Sequence, residues 1–174
     1  MLKGSGRILG VVLALLAAVS FAGPSSASGQ VLAIGGHASL NPDLVDDNTL
    51  GVGLRAHLAL PLTGIAVQAT YDFYGPDCGV FECDAGELGL NLLWSLPVPY
   101  FFNPYLGAGA AFRKWTGESQ WGTESHQGVN FLAGLVLQGP TFRRFQPFIE
   151  AKYQVWNDTD NQKVLSGGIL LNLF

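Results

Sequence analysis

From residue 31 onward, apolar and polar positions trade places every second residue. The alternation fills eight segments of about ten residues, the period of a strand whose two faces meet different surroundings. It is unbroken in TLGVGLRAHLAL (49–60), where Leu50, Val52, Leu54, Ala56, Leu58 and Leu60 oppose Thr49, Gly51, Gly53, Arg55, His57 and Ala59. In 65–74, Ile65, Val67, Ala69, Tyr71 and Phe73 oppose Ala66, Gln68, Thr70, Asp72 and Tyr74. In 86–96, Leu88, Leu90, Leu92, Trp94 and Leu96 oppose Glu87, Gly89, Asn91, Leu93 and Ser95. Segments 31–40, 101–115, 128–138, 146–156 and 162–174 complete the set. The segment 101–115 contains Gly107-Ala108-Gly109, a fragment of a phosphate-binding fingerprint. Phe112 stands where the third glycine should be, and no helical start follows, so the glycines read as part of a strand with a nearly bare face.

The connections fall into two chemical kinds that alternate strictly along the chain. Residues 61–64, 97–103 and 139–145 are rich in proline, glycine or aromatics, whereas 41–48, 75–85, 116–127 and 157–161 are polar and acidic. An even-stranded up-and-down barrel has one rim of turns and one rim of loops, which is the separation seen here. The fold class expected is therefore all-β: an eight-stranded antiparallel up-and-down transmembrane β-barrel.

Composition decides which face meets water. Charged residues make up 13% of the chain, against about 25% for an ordinary soluble domain. The more polar face consists of Gly, Ala, Ser, Thr, Asn and a few charges, too little to solvate an exterior but suited to a narrow interior. Eight strands leave room inside only for side chains, so Gly107 and Gly109 are expected to make space within the barrel. Aromatic residues cluster near both strand ends, Tyr100, Phe101, Phe102, Tyr105, Phe142, Phe145, Phe148, Trp94 and Phe174 at one rim and Tyr71, Phe73, Tyr74, Phe81, Trp115, Trp121, Tyr153 and Trp156 at the other. They are expected to form two girdles around an aliphatic belt.

The first residues set the compartment. Lys3 and Arg7 precede an uncharged apolar run, ILGVVLALLAAVSFAG, followed by the small residues PSSASGQ. This is the layout of a secretory signal peptide, with cleavage expected after Ala27. Residues 1–27 are then the signal peptide and 28–174 a single barrel domain.

The chain resembles the small eight-stranded outer-membrane β-barrel proteins, the group of the OmpA transmembrane domain and OmpX. The resemblance rests on NPYLGAGAAF (103–112), on the final apolar strand GGILLNLF ending in Phe174, and on the strand number. It implies location in the outer membrane among lipids and lipopolysaccharide, with Phe174 as the signal read by the barrel-assembly machinery. Phe174 shares parity with Gly168 and Asn172 rather than with the apolar Ile169, Leu171 and Leu173.

Candidate chemistry is sparse. Cys78 and Cys83 lie in one acidic segment, and an oxidising compartment favours a local disulfide over a metal site lacking further ligands. Thr123-Glu124-Ser125-His126 gathers acid, nucleophile and base types, but neighbours in sequence do not converge as a triad does. Asp43, Asp46, Asp47, Asp77, Glu82, Asp84, Glu118, Glu124, Asp158 and Asp160 read as a solvated, mutually repulsive rim. Divalent-cation bridging is the sharper alternative, although Asp43–Asn48 lacks EF-hand spacing.

No catalytic residue, cofactor or metal site is expected, and nothing suggests nucleic-acid binding. Parity and short turns place Glu87 opposite Arg113 and Arg55 opposite Thr70, with Asp72 beside Glu87 and with Glu150 and Lys152 facing in from another wall. Arg55, Asp72, Glu87, Arg113, Glu150 and Lys152 are thus expected to form a polar network that plugs the lumen. The function expected is structural or surface-interacting, by a monomer with an extracellular or periplasmic partner left open. A lipid-modifying enzyme and a narrow pore are the alternatives.

Overall fold

The computed structural model describes residues 32–45, 47–60, 63–75, 77–78, 81–96, 101–117, 125–138, 142 and 144–173. The signal-peptide expectation, the Ala27 cleavage site and Phe174 lie outside them. Eight long strands run in chain order: β1 (Leu32–Val45), β2 (Asp47–Ala59), β3 (Ile65–Tyr74), β4 (Phe81–Ser95), β5 (Phe102–Gly117), β6 (Ser125–Leu137), β7 (Phe145–Trp156) and β8 (Gln162–Asn172). Each pairs antiparallel with its sequence neighbours, and β1 closes onto β8 from Ala33↔Asn172 to Leu40↔Leu165. A closed, all-antiparallel, up-and-down barrel results. A two-residue strand, Asp77–Cys78, pairs with Phe81 and Glu82 at the end of β4.

Closure removes every sheet edge within the wall, so backbone N–H and C=O groups are satisfied there without water. The side-chain period then divides the molecule into an outside and an inside. Leu50, Leu54 and Leu92 point outward at 72%, 67% and 61% exposure, along with Val52, Leu90, Ile149, Leu165 and Ile169. The inward set contains Gln68, Asp72, Glu87, Asn130, Glu150 and Gln154, each at 0–1%.

At one rim, the turn from β2 to β3 is tight. Gly64 supplies a positive φ of 68° there, and Thr63 closes the turn by donating from Oγ1 to the Leu60 carbonyl (3.0 Å) while accepting from Ile65 N–H (3.1 Å). The other rim departs from expectation. β1 runs through the acidic stretch to Val45, which pairs with Asp47 across an irregularity after Asn41, and β4 begins at Phe81 rather than near residue 86. Beyond the apolar belt both faces of a strand meet water, so alternation fades while hydrogen bonding continues.

Among the described residues the aromatic girdles are thinner than the sequence suggests; Tyr100, Trp121, Phe174 and the Phe81 side chain lie outside them. Trp94, Phe101, Phe102 and Phe145 point outward at the turn rim, and Tyr71, Phe73, Phe112 and Tyr153 toward the other. Tyr74, Tyr105, Phe148 and Trp156 instead turn inward and are buried; Trp115 packs against Leu44, Tyr74 and Ala85. These aromatics share parity with the small and charged residues of their strands, and the strand pleat outweighs their affinity for an interface.

Candidate functional site

Glu150 on β7 organises one half of the lumen. Arg55 on β2 reaches it in bidentate geometry, Nη2 to Oε1 at 2.7 Å and Nη1 to Oε2 at 3.1 Å. The Tyr105 hydroxyl (2.6 Å) and the Gln68 amide (3.0 Å) also donate to Oε2. The Arg55 guanidinium lies 4.0 Å over the Phe148 ring, two residues before Glu150 on the same strand. An arginine fork matches a carboxylate in plane and still offers its face to an aromatic ring, so Arg55 is gripped on both chemistries.

Glu87 on β4 organises the other half. Glu87 and Arg113 are cross-strand partners and form a 2.7 Å ion pair. Lys152 donates to Glu87 Oε1 at 2.9 Å and lies 3.5 Å from Asp72 Oδ2. Asp72, the partner of Glu87 across β3 and β4, accepts from His37 Nε2 at 2.6 Å and from Ser39 Oγ at 3.3 Å. Arg113 also donates to Gln162 (2.8 Å) and stacks 4.3 Å over Trp156.

An amide chain joins the two halves. Asn91 donates to Gln68 (2.8 Å), Asn130 to Asn91 (3.1 Å) and Gln154 to Asn130 (3.1 Å), and Gln154 also donates to Glu87. Arg55, Arg113 and Lys152 thus face Asp72, Glu87 and Glu150, three charges of each sign, all nearly inaccessible. Buried carboxylates and bases hold together only where each finds opposite charge and hydrogen bonds. Sequence parity singles out these six and puts His37, Ser39, Tyr105 and the four amides inside as well, without marking them as network members.

Apolar layers bound this polar band. Leu93, Leu132, Val136, Phe148 and Leu170 cluster with Ala33, Ala66 and Tyr105 inside the barrel, and Leu44, Tyr74 and Ala85 form a second cluster.

Gly109 shows why that strand face is bare. A Cβ there would run into the Leu90 carbonyl oxygen and sit 2.6 Å from Asn91 Cα, both on the neighbouring strand. It makes room against backbone and has no phosphate-loop geometry.

Hydrolytic chemistry finds no assembled site among the described residues. Ser39 and His37 both bind the same oxygen of Asp72, whereas a nucleophile needs its base in contact. Ser125 and His126 are consecutive on β6 and take opposite faces. Among the described residues no three His, Cys, Asp or Glu side chains converge on a metal position. The side chains of Cys78 and Cys83 lie outside the described set.

Among the described residues, part of the acidic rim is carried by strand ends. Asp43 and Asp84 are exposed on strands β1 and β4, and only Asp158 and Asp160 occupy a described loop. Asp43 Oδ2 accepts from the Lys163 N–H at 2.8 Å, prolonging the β1–β8 seam past its last ladder pair.

No protein-family model matches the chain, and no curated protein matches it either. Solved structures do. Neisserial surface protein A superimposes with a TM-score of 0.67 at 12% identity, over 83% of this chain and 98% of its own. The N-terminal β-barrel domain of OprF from Pseudomonas aeruginosa gives 0.64 at 15% identity, over 82% and 96%. The chain has the fold of the small eight-stranded outer-membrane β-barrels. The outer-membrane protein OprG of Pseudomonas aeruginosa also matches this barrel, with a TM-score of 0.53 at 13% identity over 82% and 93%. At these identities the likeness extends to the wall and its strand order.

Proposed function

We propose that the chain is an integral outer-membrane barrel with a structural or surface-interaction role, a plugged lumen and acidic segments at its outer rim. The observation that supports it best is the inverted distribution of polarity. Large apolar side chains cover the outside, and the charges form a balanced, hydrogen-bonded band within. An apolar exterior of that extent has no stable place in water and matches the hydrocarbon of a bilayer. Each of the six ionic side chains is held by a partner from another strand, which supports a closed lumen. On this reading residues 1–27 direct secretion and are removed, Phe174 is presented to the barrel-assembly machinery, and a Cys78–Cys83 disulfide orders the segment between β3 and β4. The barrel acts as a monomer surrounded by membrane lipid and lipopolysaccharide.

Cell fractionation combined with gel mobility tests this. The mature protein is expected in the outer-membrane fraction, and an unboiled detergent sample should migrate differently from a boiled one. Identical migration, or recovery in the soluble fraction, overturns the reading.

A further inference from the structure

A groove on the outer wall lies apart from the plug. It measures about 560 Å³, inside the span of roughly 300–1,000 Å³ typical of ligand sites. Register fixes its position. Val52, Phe73, Gly86 and Lys114 form one outward row across β2, β3, β4 and β5. Toward the middle of the wall the next row is Leu54, Tyr71, Leu88 and Phe112, and toward the rim Asp84 pairs with Thr116. The groove thus sits at the end of β3 and the start of β4, at the rim that carries the acidic segments, where the wall passes from apolar to charged.

Its two sides differ in chemistry. Leu50, Val52 and Phe73 line the β2–β3 side with exposed apolar surface, and Tyr71 meets Phe73 edge to face at 4.6 Å. The other side is polar, with exposed Lys114, Asp84 and Thr116 from β4 and β5. Gly86 keeps the space between them open. A Cβ there would stand 2.7 Å from the Tyr71 hydroxyl oxygen, so that hydroxyl lies over Gly86, whose partner on the next strand is Lys114. Among the described residues neither Lys114 nor Asp84 takes part in an ion pair. Lys163 is the other described lysine exposed at this rim; it pairs with Tyr153 and lies outside the groove.

We propose that this groove seats the lipid anchor of one lipopolysaccharide molecule, a phosphorylated and acylated amino-sugar disaccharide. Its phosphate takes Lys114 as counter-charge and the Tyr71 hydroxyl as a donor, the stronger kind of hydrogen bond because the acceptor is charged. An acyl chain covers Leu50, Val52 and Phe73, which a free phosphate would leave bare. Sugar hydroxyl and amide groups donate to the Asp84 carboxylate, an acceptor that a second phosphate could not approach. The inference deepens the barrel reading and rests on it: the wall must lie in a bilayer with this rim at the cell surface.

Native mass spectrometry of the detergent-purified mature barrel tests it, with equal amounts of lipid A, dephosphorylated lipid A and phosphatidylglycerol as probes. One lipid A per barrel is expected, favoured about fivefold over each competitor, the scale of one partly exposed ion pair or one hydrogen bond. Lys114→Gln should remove the advantage over the dephosphorylated form, and Asp84→Ala should narrow the advantage over phosphatidylglycerol. Lys163→Gln, outside the groove, should change neither. Equal loading of the three lipids by the wild type, an advantage untouched by Lys114→Gln or Asp84→Ala, or equal losses from Lys114→Gln and Lys163→Gln overturns the proposal. Should a groove variant fail to fold, the wild-type comparison of the two lipid A forms still decides. Heat-modifiable migration of the same samples reports on the barrel separately, so a folded barrel with no preference for lipid A refutes the groove alone.

Discussion

Glu87 accepts from Arg113, Lys152 and Gln154 while buried completely. Glu87→Gln keeps the shape and removes the charge, leaving Arg113 without its ion-pair partner and Lys152 with only the longer contact to Asp72. Loss of one partner from a buried ionic group costs about 3–5 kcal/mol, and urea unfolding in micelles should show a loss of that order. Partners can be told from neighbours by double-mutant cycles. Arg55 and Glu150 should couple strongly, and Arg55 and Asp72, which share no hydrogen bond, more weakly. An Arg55–Asp72 coupling larger than that of Arg55 and Glu150 would mean that the pairing across the lumen is wrong. The facing of these residues is readable from the pleat, and the Glu87–Arg113 adjacency from a short turn. That Arg55 crosses to Glu150 on β7 is not, because contact between non-adjacent walls depends on barrel diameter and shear. Tyr105 and Phe148 illustrate the same limit: aromatic character near a strand end suggested a girdle, while their parity already placed them inside.

Strand elements are legible where their two faces meet different media and illegible where they do not. The alternation in 49–60 and 65–74 marks β2 and β3 closely, since one face is apolar and the other lines the lumen. The extension of β1 through Asn41-Pro42-Asp43 carries no such contrast, so sequence alone reads it as loop. Backbone closeness gives a sharper test of the elements. Gly109→Ala forces a methyl against the Leu90 carbonyl and should destabilise the barrel by about 1–3 kcal/mol, as overpacking does. Gly167→Ala, whose new carbon would lie 3.8 Å from the nearest atom, the Phe148 carbonyl oxygen, should be close to neutral. Equal effects in thermal unfolding would contradict the β4–β5 register. The orientation of the elements can be read from cells. In a background with Cys78→Ser and Cys83→Ser, a membrane-impermeant thiol reagent should label Thr159→Cys in intact cells and fail to label Thr63→Cys. Labelling at Thr63 alone would invert the barrel.

At the scale of the whole molecule, closure and plugging have one origin. Eight strands give a lumen that side chains can fill, and the amides, charges and apolar layers occupy it while Gly109 makes room for the neighbouring strand. Interaction with membrane or partner then falls to the apolar wall and the outer rim. The lumen is where the proposed function is most exposed to refutation. Planar-bilayer recording on the purified wild-type barrel measures it directly. Membranes containing the folded, heat-modifiable protein should show no steady single-channel conductance across the working voltage range. Reproducible, long-lived open levels in the wild type would contradict the plug and make the chain a pore.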